Sequence, residues 1–211
     1  FVSDVSHELR TPLTTIRMAS QVIFATRDSF EPTVARSAEL LISQIERFES
    51  LLTDLLEVSR FDAQAAVLEI KETDLVTLVR ETIDYVHPSQ DRIINLQTSS
   101  AEILADVDPR RIKRIIRNLV SNAIDHREGK DIDIRIAETE NEVSIGVRDY
   151  GSGFNFTDRK MLFERFWRAD SSRARSTGGT GLGLSIALED AKLHQGEIEV
   201  WGERGKGAHF V

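Results

Sequence analysis

A histidine next to a carboxylate stands near the start of the chain, in the run SHELRTP at residues 6–12. The Glu8 carboxylate can accept a hydrogen bond or a proton from one ring nitrogen of His7, which leaves the other nitrogen to attack as a nucleophile. Thr11 offers a hydroxyl one turn later, and Pro12 is expected to bend or loosen that turn. A lone exposed histidine is usually only a surface residue, and Pro12 alone could be a simple kink, so the case for chemistry depends on the neighbours.

A second group of residues, between 118 and 184, suits a nucleotide. Asn118 and Asn122 stand four residues apart, so they share one helix face, and their amide oxygens are suitable ligands for Mg²⁺. In the run DYGSG at 149–153, an acid that ends a predicted strand could accept a hydrogen bond from the amine of adenine. The run GGTGLGL at 178–184 opens a predicted helix, and the exposed amides at a helix N-terminus favour phosphate.

Each of these nucleotide signals has a simpler explanation when it stands alone. Two Asn residues at this spacing are more often a capping or core hydrogen-bond pair, and an acid followed by glycines is common where a strand turns into a loop. The glycine run is not a Walker motif, because no Lys-Ser or Lys-Thr follows the glycines. The order of the motifs along the chain therefore carries more weight than any one of them.

Two amphipathic helices are predicted to position the histidine. Apolar residues recur at steps of three and four from residue 1 to about Thr26, and a heptad series follows Pro32, which suits the first turn of a second helix. At about 100° per residue, His7 lies roughly 160° from Leu9, the centre of the first stripe, so it is expected to face water. Two helices cannot fully bury both stripes, so we predict that two hairpins pair as a four-helix bundle in a homodimer.

In the rest of the chain, short strand-like runs alternate with helical patterns, which predicts a mixed α/β domain. Asp74 and Asp108 are predicted to cap two of its helices, and the glycine-flanked stretch 153–178 is expected to be a long loop. The predicted strands and a third helix cover the ranges 67–70, 93–96, 132–136, 143–147, 197–201 and, for the helix, 184–194. We therefore predict an α+β chain, with an antiparallel helical hairpin over 1–62 and the mixed domain over 63–211.

The composition excludes several classes of site. The net charge of -8 over 211 residues argues against a broad binding surface for nucleic acid, so no nucleic-acid partner is expected. The absence of cysteine excludes disulfides and cysteine-based zinc or redox sites. No apolar run approaches the roughly 18 residues of a membrane span. The sequence starts without Met inside a periodic apolar pattern, so we expect it to be a piece of a longer protein.

Taken in order, these motifs resemble those of the sensor histidine kinases. SHELRTP at 6–12 is similar to their H-box. The Asn pair, DYGSG at 149–153, FERFWR at 163–168 and GTGLGL at 179–184 are similar to the boxes of an ATP-binding domain that these kinases share with a class of chaperones and with type II topoisomerases. GKGAHF at 205–210 resembles the last glycine box of the kinases. The resemblance covers nearly the whole chain, and the H-box selects the kinases.

This resemblance implies an α/β sandwich with a lid over ATP and assigns the reactive residues. It implies that His7 takes the γ-phosphoryl group of ATP and that Glu8 acts as the base. It also implies that Thr11 helps to position water when the protein removes phosphate from its partner. Arg168 would face the γ-phosphate, where a cation can stabilise the charge of the phosphoryl group in transfer.

The same resemblance implies the residues that bind the nucleotide. Asp149 would bind adenine, with Gly151 and Gly153 beside it, and Asn118 and Asn122 would hold Mg²⁺ and phosphate. Gly179, Gly181 and Gly183 would form the lid hinge near the phosphates, and Thr180 and Leu182 between them would also bind the nucleotide.

The chain departs from the family pattern directly after the second Asn of the pair. Where the family commonly has a lysine and an aromatic residue, this chain has Asp125 and His126, so a cation that would help to hold phosphate is missing there. His126 could stack on adenine in place of the aromatic residue, and Arg127 or Lys130 could supply the charge. Weak ATP affinity is one expectation of this departure.

The family's activity implies the partners of this chain. The phosphoryl group would pass from His7 to an aspartate of a response-regulator receiver domain. The alternative is a catalytically weak or inactive dimeric scaffold that binds the regulator, and an ATPase without histidine chemistry conflicts with the H-box. The family usually anchors this portion to the inner face of a membrane through upstream segments, so we expect the cytoplasmic portion of a membrane sensor.

Overall fold

The N-terminal unit of the computed structural model, Phe1–Ala66, is an antiparallel pair of helices. Helix α1 spans Val2–Ala25 and helix α2 spans Pro32–Asp62, and the turn between them contains a short 3-10 segment, Arg27–Ser29. Pro32 occupies the first turn of α2, where its fixed φ angle is already helical. The predicted hairpin is therefore confirmed.

The structure describes residues 2–87, 93–168 and 179–211, and within 2–10 the only side chain described is that of Leu9. In these ranges, no helix is long and apolar enough to cross a membrane. The predicted loop 153–178 is described up to residue 168, with two short 3-10 turns, and its remainder lies outside the described residues.

The two helices of the hairpin bury only part of their apolar stripes. Leu13 of α1 and Ala38 and Ile45 of α2 are buried, and Arg17 forms an ion pair with Glu49 at 3.3 Å across the helices. Other apolar residues recur seven apart on each helix and are exposed in the single chain. They are Leu9, Ile16 and Ile23 on α1 and Val34, Leu41, Phe48 and Leu55 on α2. One heptad-spaced apolar stripe of each helix thus lies at the surface.

Seven strands, β1 to β7, lie in the described part of the second unit, Val67–Val211. In order they span Lys71–Asp74, Ile94–Thr98, Leu104–Val107, Ile132–Glu138, Val143–Asp149, Val200–Glu203 and Gly207–Phe210. Five of them form one sheet in the order β2-β4-β5-β7-β6, in which β2 is parallel to β4 and the other neighbours are antiparallel. The other two, β1 and β3, form a small antiparallel sheet.

Three helices cover one face of the larger sheet: α3 (Leu75–Val86), α4 (Pro109–His126) and α5 (Gly183–Leu193). Alternate residues of β4, including Ile134, are fully buried and form one core with residues of the helices such as Val120. This alternation is what one covered sheet face requires. The predicted α+β class, with an α/β sandwich after the hairpin, is confirmed.

Both predicted helix caps are confirmed. The carboxylate of Asp74 accepts hydrogen bonds from the backbone amides of Val76 and Thr77, each at 3.1 Å, at the start of α3. The carboxylate of Asp108 accepts one from the amide of Arg110 at 3.0 Å at the start of α4. Each cap satisfies amides that have no partner within the helix.

Some predicted strands were wrong. The apolar run 67–70 is not a strand, and its residues Val67 and Ile70 are 74% and 50% exposed. The strand β1 follows this run at Lys71–Asp74. The last predicted strand, 197–201, begins only at Val200. Strand β3 was not predicted from the sequence, and the residues of β7 were interpreted only as part of a glycine box.

Candidate active site

Helix α4 carries the predicted pair of amides beside its buried face. Ile116 and Val120 are buried in the core, whereas Asn118 and Asn122 are half-buried. The side-chain nitrogen of Asn118 donates to the backbone carbonyl of Gly183 at 2.9 Å, so the amide oxygen stays an acceptor. An amide oxygen is a hard ligand of the kind that Mg²⁺ prefers, so this donor set fits that cation.

Asp149 is a buried carboxylate at the end of β5, only 1% exposed. One of its oxygens accepts a hydrogen bond from the amide of Gly151 at 3.0 Å and the other accepts one from Ala208 at 3.2 Å. Burial raises the pKa of Asp149, and these two hydrogen bonds together with the positive charges of His126 and Arg148 oppose that rise. Each carboxylate oxygen can accept more than one hydrogen bond, so the group can still bind an amine.

The loop after β5 packs directly on the C-terminal end of α4. A Cβ atom at Gly151 would stand 1.6 Å from the carbonyl oxygen of His126, so only glycine fits, and the amide of Ser152 donates to that same oxygen at 3.2 Å. Gly153 has a φ of +60°, which glycine adopts without strain. Both predicted glycines are therefore required by shape, and His126 and Asp149 lie at the same end of α4.

The predicted lid hinge runs from Gly179 to the start of α5. Gly181 has a φ of +73°, and its carbonyl accepts a hydrogen bond from the amide of Phe166 at 2.8 Å. Gly183 begins α5 against Asn118, and a Cβ atom there would stand 3.5 Å from the Asn118 side chain. The hinge thus joins the segment that contains Phe166 to the amide-bearing face of α4.

The side chains of two hinge residues have structural partners. The hydroxyl of Thr180 accepts a hydrogen bond from the amide of Leu182 at 3.2 Å. The side chain of Leu182 is fully buried, so only its backbone can face a ligand. A contact of the Leu182 side chain with the nucleotide is therefore not expected.

Arg168 lies beside the hinge. Its guanidinium donates a hydrogen bond to the carbonyl of Gly179, and its positive charge acts on the carboxyl group of Asp125 at the end of α4. The cation predicted to meet the γ-phosphate is therefore close to both the hinge and α4.

The two alternative cations, Arg127 and Lys130, contact backbone carbonyls. The Lys130 ammonium donates to the carbonyl of Tyr150 at 2.6 Å, and the Arg127 guanidinium donates to the carbonyl of Lys130 at 3.1 Å. Both therefore support the loops around Tyr150. His126 remains exposed at the end of α4, as stacking on adenine would require.

The predicted phosphoacceptor run lies within α1. His7 and Glu8 belong to that helix, but their side chains lie outside the described residues, so the expected exposure of His7 stays a prediction. Thr11 is exposed, and its backbone carbonyl accepts a hydrogen bond from the Thr15 hydroxyl at 3.3 Å. Pro12 lies inside α1 without ending it.

A buried charge cluster behind the site was missed. Asp190 of α5 is fully buried and accepts hydrogen bonds from Arg111 at 2.8 Å and from Arg114 at 2.6 and 2.8 Å. The available signal was an acid within the apolar pattern of α5 and two arginines three residues apart on α4. The cluster fixes α5, and therefore the hinge before it, against α4.

Two family models match the chain. The model of the His Kinase A (phospho-acceptor) domain matches residues 1–64, and that of the histidine kinase-, DNA gyrase B- and HSP90-like ATPase matches residues 107–211.

Relatives match over the whole chain. Sensor histidine kinase MtrB of Mycolicibacterium paratuberculosis is 53% identical over 213 residues, and that of Mycobacterium tuberculosis strain H37Rv is 51% identical. These alignments cover 100% of this chain but 38% of each relative. The crystal structure of full-length ShkA in complex with AMPPNP matches with a TM-score of 0.79 and 26% identity, over 99% of this chain and 44% of that protein.

The two domain matches account for both groups of motifs, the histidine run in the hairpin and the amide, acid and glycine boxes in the α/β unit. The chain therefore belongs to the histidine kinase family and contains both its phosphoacceptor domain and its ATPase domain.

Proposed function

We propose that the chain is the catalytic core of a two-component sensor kinase, which phosphorylates His7 from ATP and passes the phosphoryl group to a response regulator. The observation that carries this proposal is one cluster in the ATPase domain. It joins the amides of α4, the buried Asp149 and the glycine hinge, in a chain that also contains the phosphoacceptor run.

The ATPase domain would hold the nucleotide from two sides. The Asp149 carboxylate accepts a hydrogen bond from the exocyclic amine of adenine, since each carboxylate oxygen can accept more than one hydrogen bond. Asn118 and Asn122 hold Mg²⁺, which neutralises charge on the phosphates when it is bound. Arg168 faces the γ-phosphate from the hinge side.

The chemistry would be a nucleophilic substitution at phosphorus. Glu8 accepts the proton of one ring nitrogen of His7 while the other nitrogen bonds to the γ-phosphorus, and the bond to the bridging oxygen breaks as ADP leaves. The phosphoryl group then moves to an aspartate of the receiver domain, which restores His7. In a separate reaction, Thr11 positions a water molecule that attacks the phosphorus of the regulator's phospho-aspartate, so that the bond to the aspartate breaks and inorganic phosphate leaves.

A homodimer would cover the exposed apolar stripes of the hairpin. The stripe on α2 includes Leu41, Phe48 and Leu55, which recur every seven residues and are 42%, 56% and 51% exposed. Such a seam matches a second copy of the hairpin in a four-helix bundle. The chain spans 38% of its MtrB relatives, and we propose that it is the cytoplasmic portion of a membrane-anchored sensor.

The Asp125 and His126 pair favours a second function, that of a dimeric scaffold with little kinase activity. An acid in this position adds negative charge close to where phosphates would bind, which weakens the binding of ATP. The scaffold would still dimerise and bind the regulator.

Incubation of the purified chain with γ-labelled ATP and Mg²⁺ separates the two functions. The kinase predicts acid-labile, base-stable label that disappears in His7→Gln and persists in the control His87→Gln. Label that persists in His7→Gln would show that His7 is not the phosphoacceptor. Absence of label from a dimer that still binds ATP would favour the scaffold.

A further inference from the structure

Asn118, Asn122 and Asp125 lie at positions i, i+4 and i+7 of α4, so they form one stripe along the helix. The first of them contacts the hinge through its hydrogen bond to the carbonyl of Gly183. The nucleotide face of α4 therefore combines two neutral amides with one carboxylate.

Arg168 stands opposite the acidic end of this stripe. Its guanidinium is held by the carbonyl of Gly179, four residues before Gly183, so the hinge places it beside α4. Burial raises the pKa of Asp125, and the charges of His126 and Arg168 oppose that rise. The Arg168 guanidinium is therefore close enough to act on the charge of the Asp125 carboxylate, although this carboxylate is exposed.

We propose that Asp125 is a specificity-determining residue of the nucleotide site, which competes with the terminal phosphate of ATP for Arg168 and so narrows the difference in affinity between ATP and ADP. The inference rests on the proposed binding of ATP. Two anions then share one guanidinium: the Asp125 carboxylate and the γ-phosphate. ADP lacks the γ-phosphate, so this competition affects ATP more than ADP.

Among the described residues near Asp125, the cations Arg127 and Lys130 are engaged with backbone carbonyls. Lys130 donates to the carbonyl of Tyr150 and Arg127 to that of Lys130, so both support the loop that contains Tyr150. Asp125 is exposed at the surface, so the neutral amide of Asn can replace it without loss of the core.

Calorimetric titration with ATP and with ADP, each with Mg²⁺, tests the inference on the whole chain. In Asp125→Asn, the Kd of ATP is expected to fall roughly three- to tenfold and the Kd of ADP to change less than about twofold. The control Asp131→Asn removes the same charge from an exposed site six residues later and is expected to change neither Kd. In an Arg168→Gln background, Asp125→Asn is expected to have little effect on ATP.

An equal fall in the Kd of ATP and the Kd of ADP would overturn the inference. It would show that Asp125 repels both nucleotides through its charge and does not compete with the terminal phosphate for Arg168. Weaker binding of ATP by Asp125→Asn would also overturn it and would indicate that Asp125 is a ligand of the nucleotide complex. Absence of ATP binding by the unsubstituted chain would reject the proposed function and the inference together, and is thus distinct from the other outcomes.

Discussion

The charged side chains at the two ends of α4 differ in their burial and in their partners. Along its N-terminal half, Arg111 and Arg114 donate hydrogen bonds to the fully buried carboxylate of Asp190 at 2.6 to 2.8 Å. At its C-terminal end, Asp125 and His126 are exposed. One end of the helix is therefore fixed by matched charges, whereas the other presents polar groups to solvent.

The carboxyl groups around α4 show the same contrast in their pKa values. Burial alone would raise the pKa of Asp108, but hydrogen bonds from the Arg110 side chain and from the amides of Glu69 and Arg110 outweigh it, and the pKa falls to about 2. Near the other end, desolvation is the largest influence and raises the pKa of Asp149, which is buried, and of Asp125, whose side chain is partly desolvated although it stays exposed. Hydrogen bonds and ion pairs therefore dominate the carboxyl groups at the N-terminal end of α4, whereas desolvation dominates those near its C-terminal end.

The largest effect is expected from Asp190→Ala. Its removal leaves the guanidinium groups of Arg111 and Arg114 without their buried carboxylate, a change that typically lowers the free energy of unfolding by about 3–5 kcal/mol. Urea unfolding measures this loss. The control Glu189→Ala removes an exposed ion pair with Lys192 and is expected to cost less than about 1 kcal/mol. Equal losses in the two variants would contradict the structural role of the buried cluster.

Asn122→Ala should affect binding instead of stability. We expect the affinity for ATP with Mg²⁺ to fall at least about tenfold if Asn122 is a ligand of Mg²⁺ as proposed, since the site would lose one charge-assisted contact. The free energy of unfolding should change by no more than roughly 0.5 kcal/mol. Calorimetric titration and urea unfolding measure the two quantities, with Asn141→Ala as the control at an exposed turn. A variant that unfolds readily but still binds ATP would assign Asn122 to the fold.

The pH dependence of stability should report on the N-terminal end. The folded pKa of Asp108, about 2, lies below its ordinary value of 3.8, so its carboxylate stabilises the fold above pH 3.8. That contribution should be lost progressively as the pH falls from 3.8 towards 2. Urea unfolding at a series of pH values should show a shallower acid slope for Asp108→Asn. An unchanged slope would argue against the low pKa of Asp108.

The smallest effect is expected from Lys130→Ala. The Lys130 ammonium is exposed and donates to the carbonyl of Tyr150, so its loss should cost less than about 1 kcal/mol of unfolding free energy. The Kd of ATP should change by less than about twofold, because this cation supports a loop. A larger loss of affinity would instead show that Lys130 supplies the charge missing at position 125.

The cap at the N-terminus of α4 was easier to predict from the sequence than the ion pairs that α4 forms with α5. The cap at Asp108 follows from a side chain and an amide two residues apart, and the capping pattern of Asp74 is equally local. The pairing of Asp190 with Arg111 and Arg114 joins residues 76 to 79 positions apart, and no periodicity in the sequence encodes it. An acid within the apolar pattern of α5 marks Asp190 as unusual, but only the fold shows which arginines it meets, whereas the caps follow from neighbouring residues.

Strand prediction failed for a similar reason. The run 67–70 is apolar enough to suggest a strand, but Val67 and Ile70 stay exposed and the pairing begins at Lys71, opposite Val107. Whether an apolar run pairs depends on a distant partner, here β3, whose four residues carry a weak pattern. The motif-bearing glycines were assigned by the family resemblance, and the structure supplies the physical reason at Gly151, where a Cβ atom would clash with the carbonyl oxygen of His126.

Amide hydrogen exchange of the whole chain, with and without Mg²⁺ and AMPPNP, tests most directly whether the two ends of α4 have separate roles. Added protection is predicted over residues 118–127, 149–153 and 179–183, with little change over 108–114 and 186–194. Uniform protection along α4, or protection at its N-terminal half alone, would contradict this division between a structural end and a binding end.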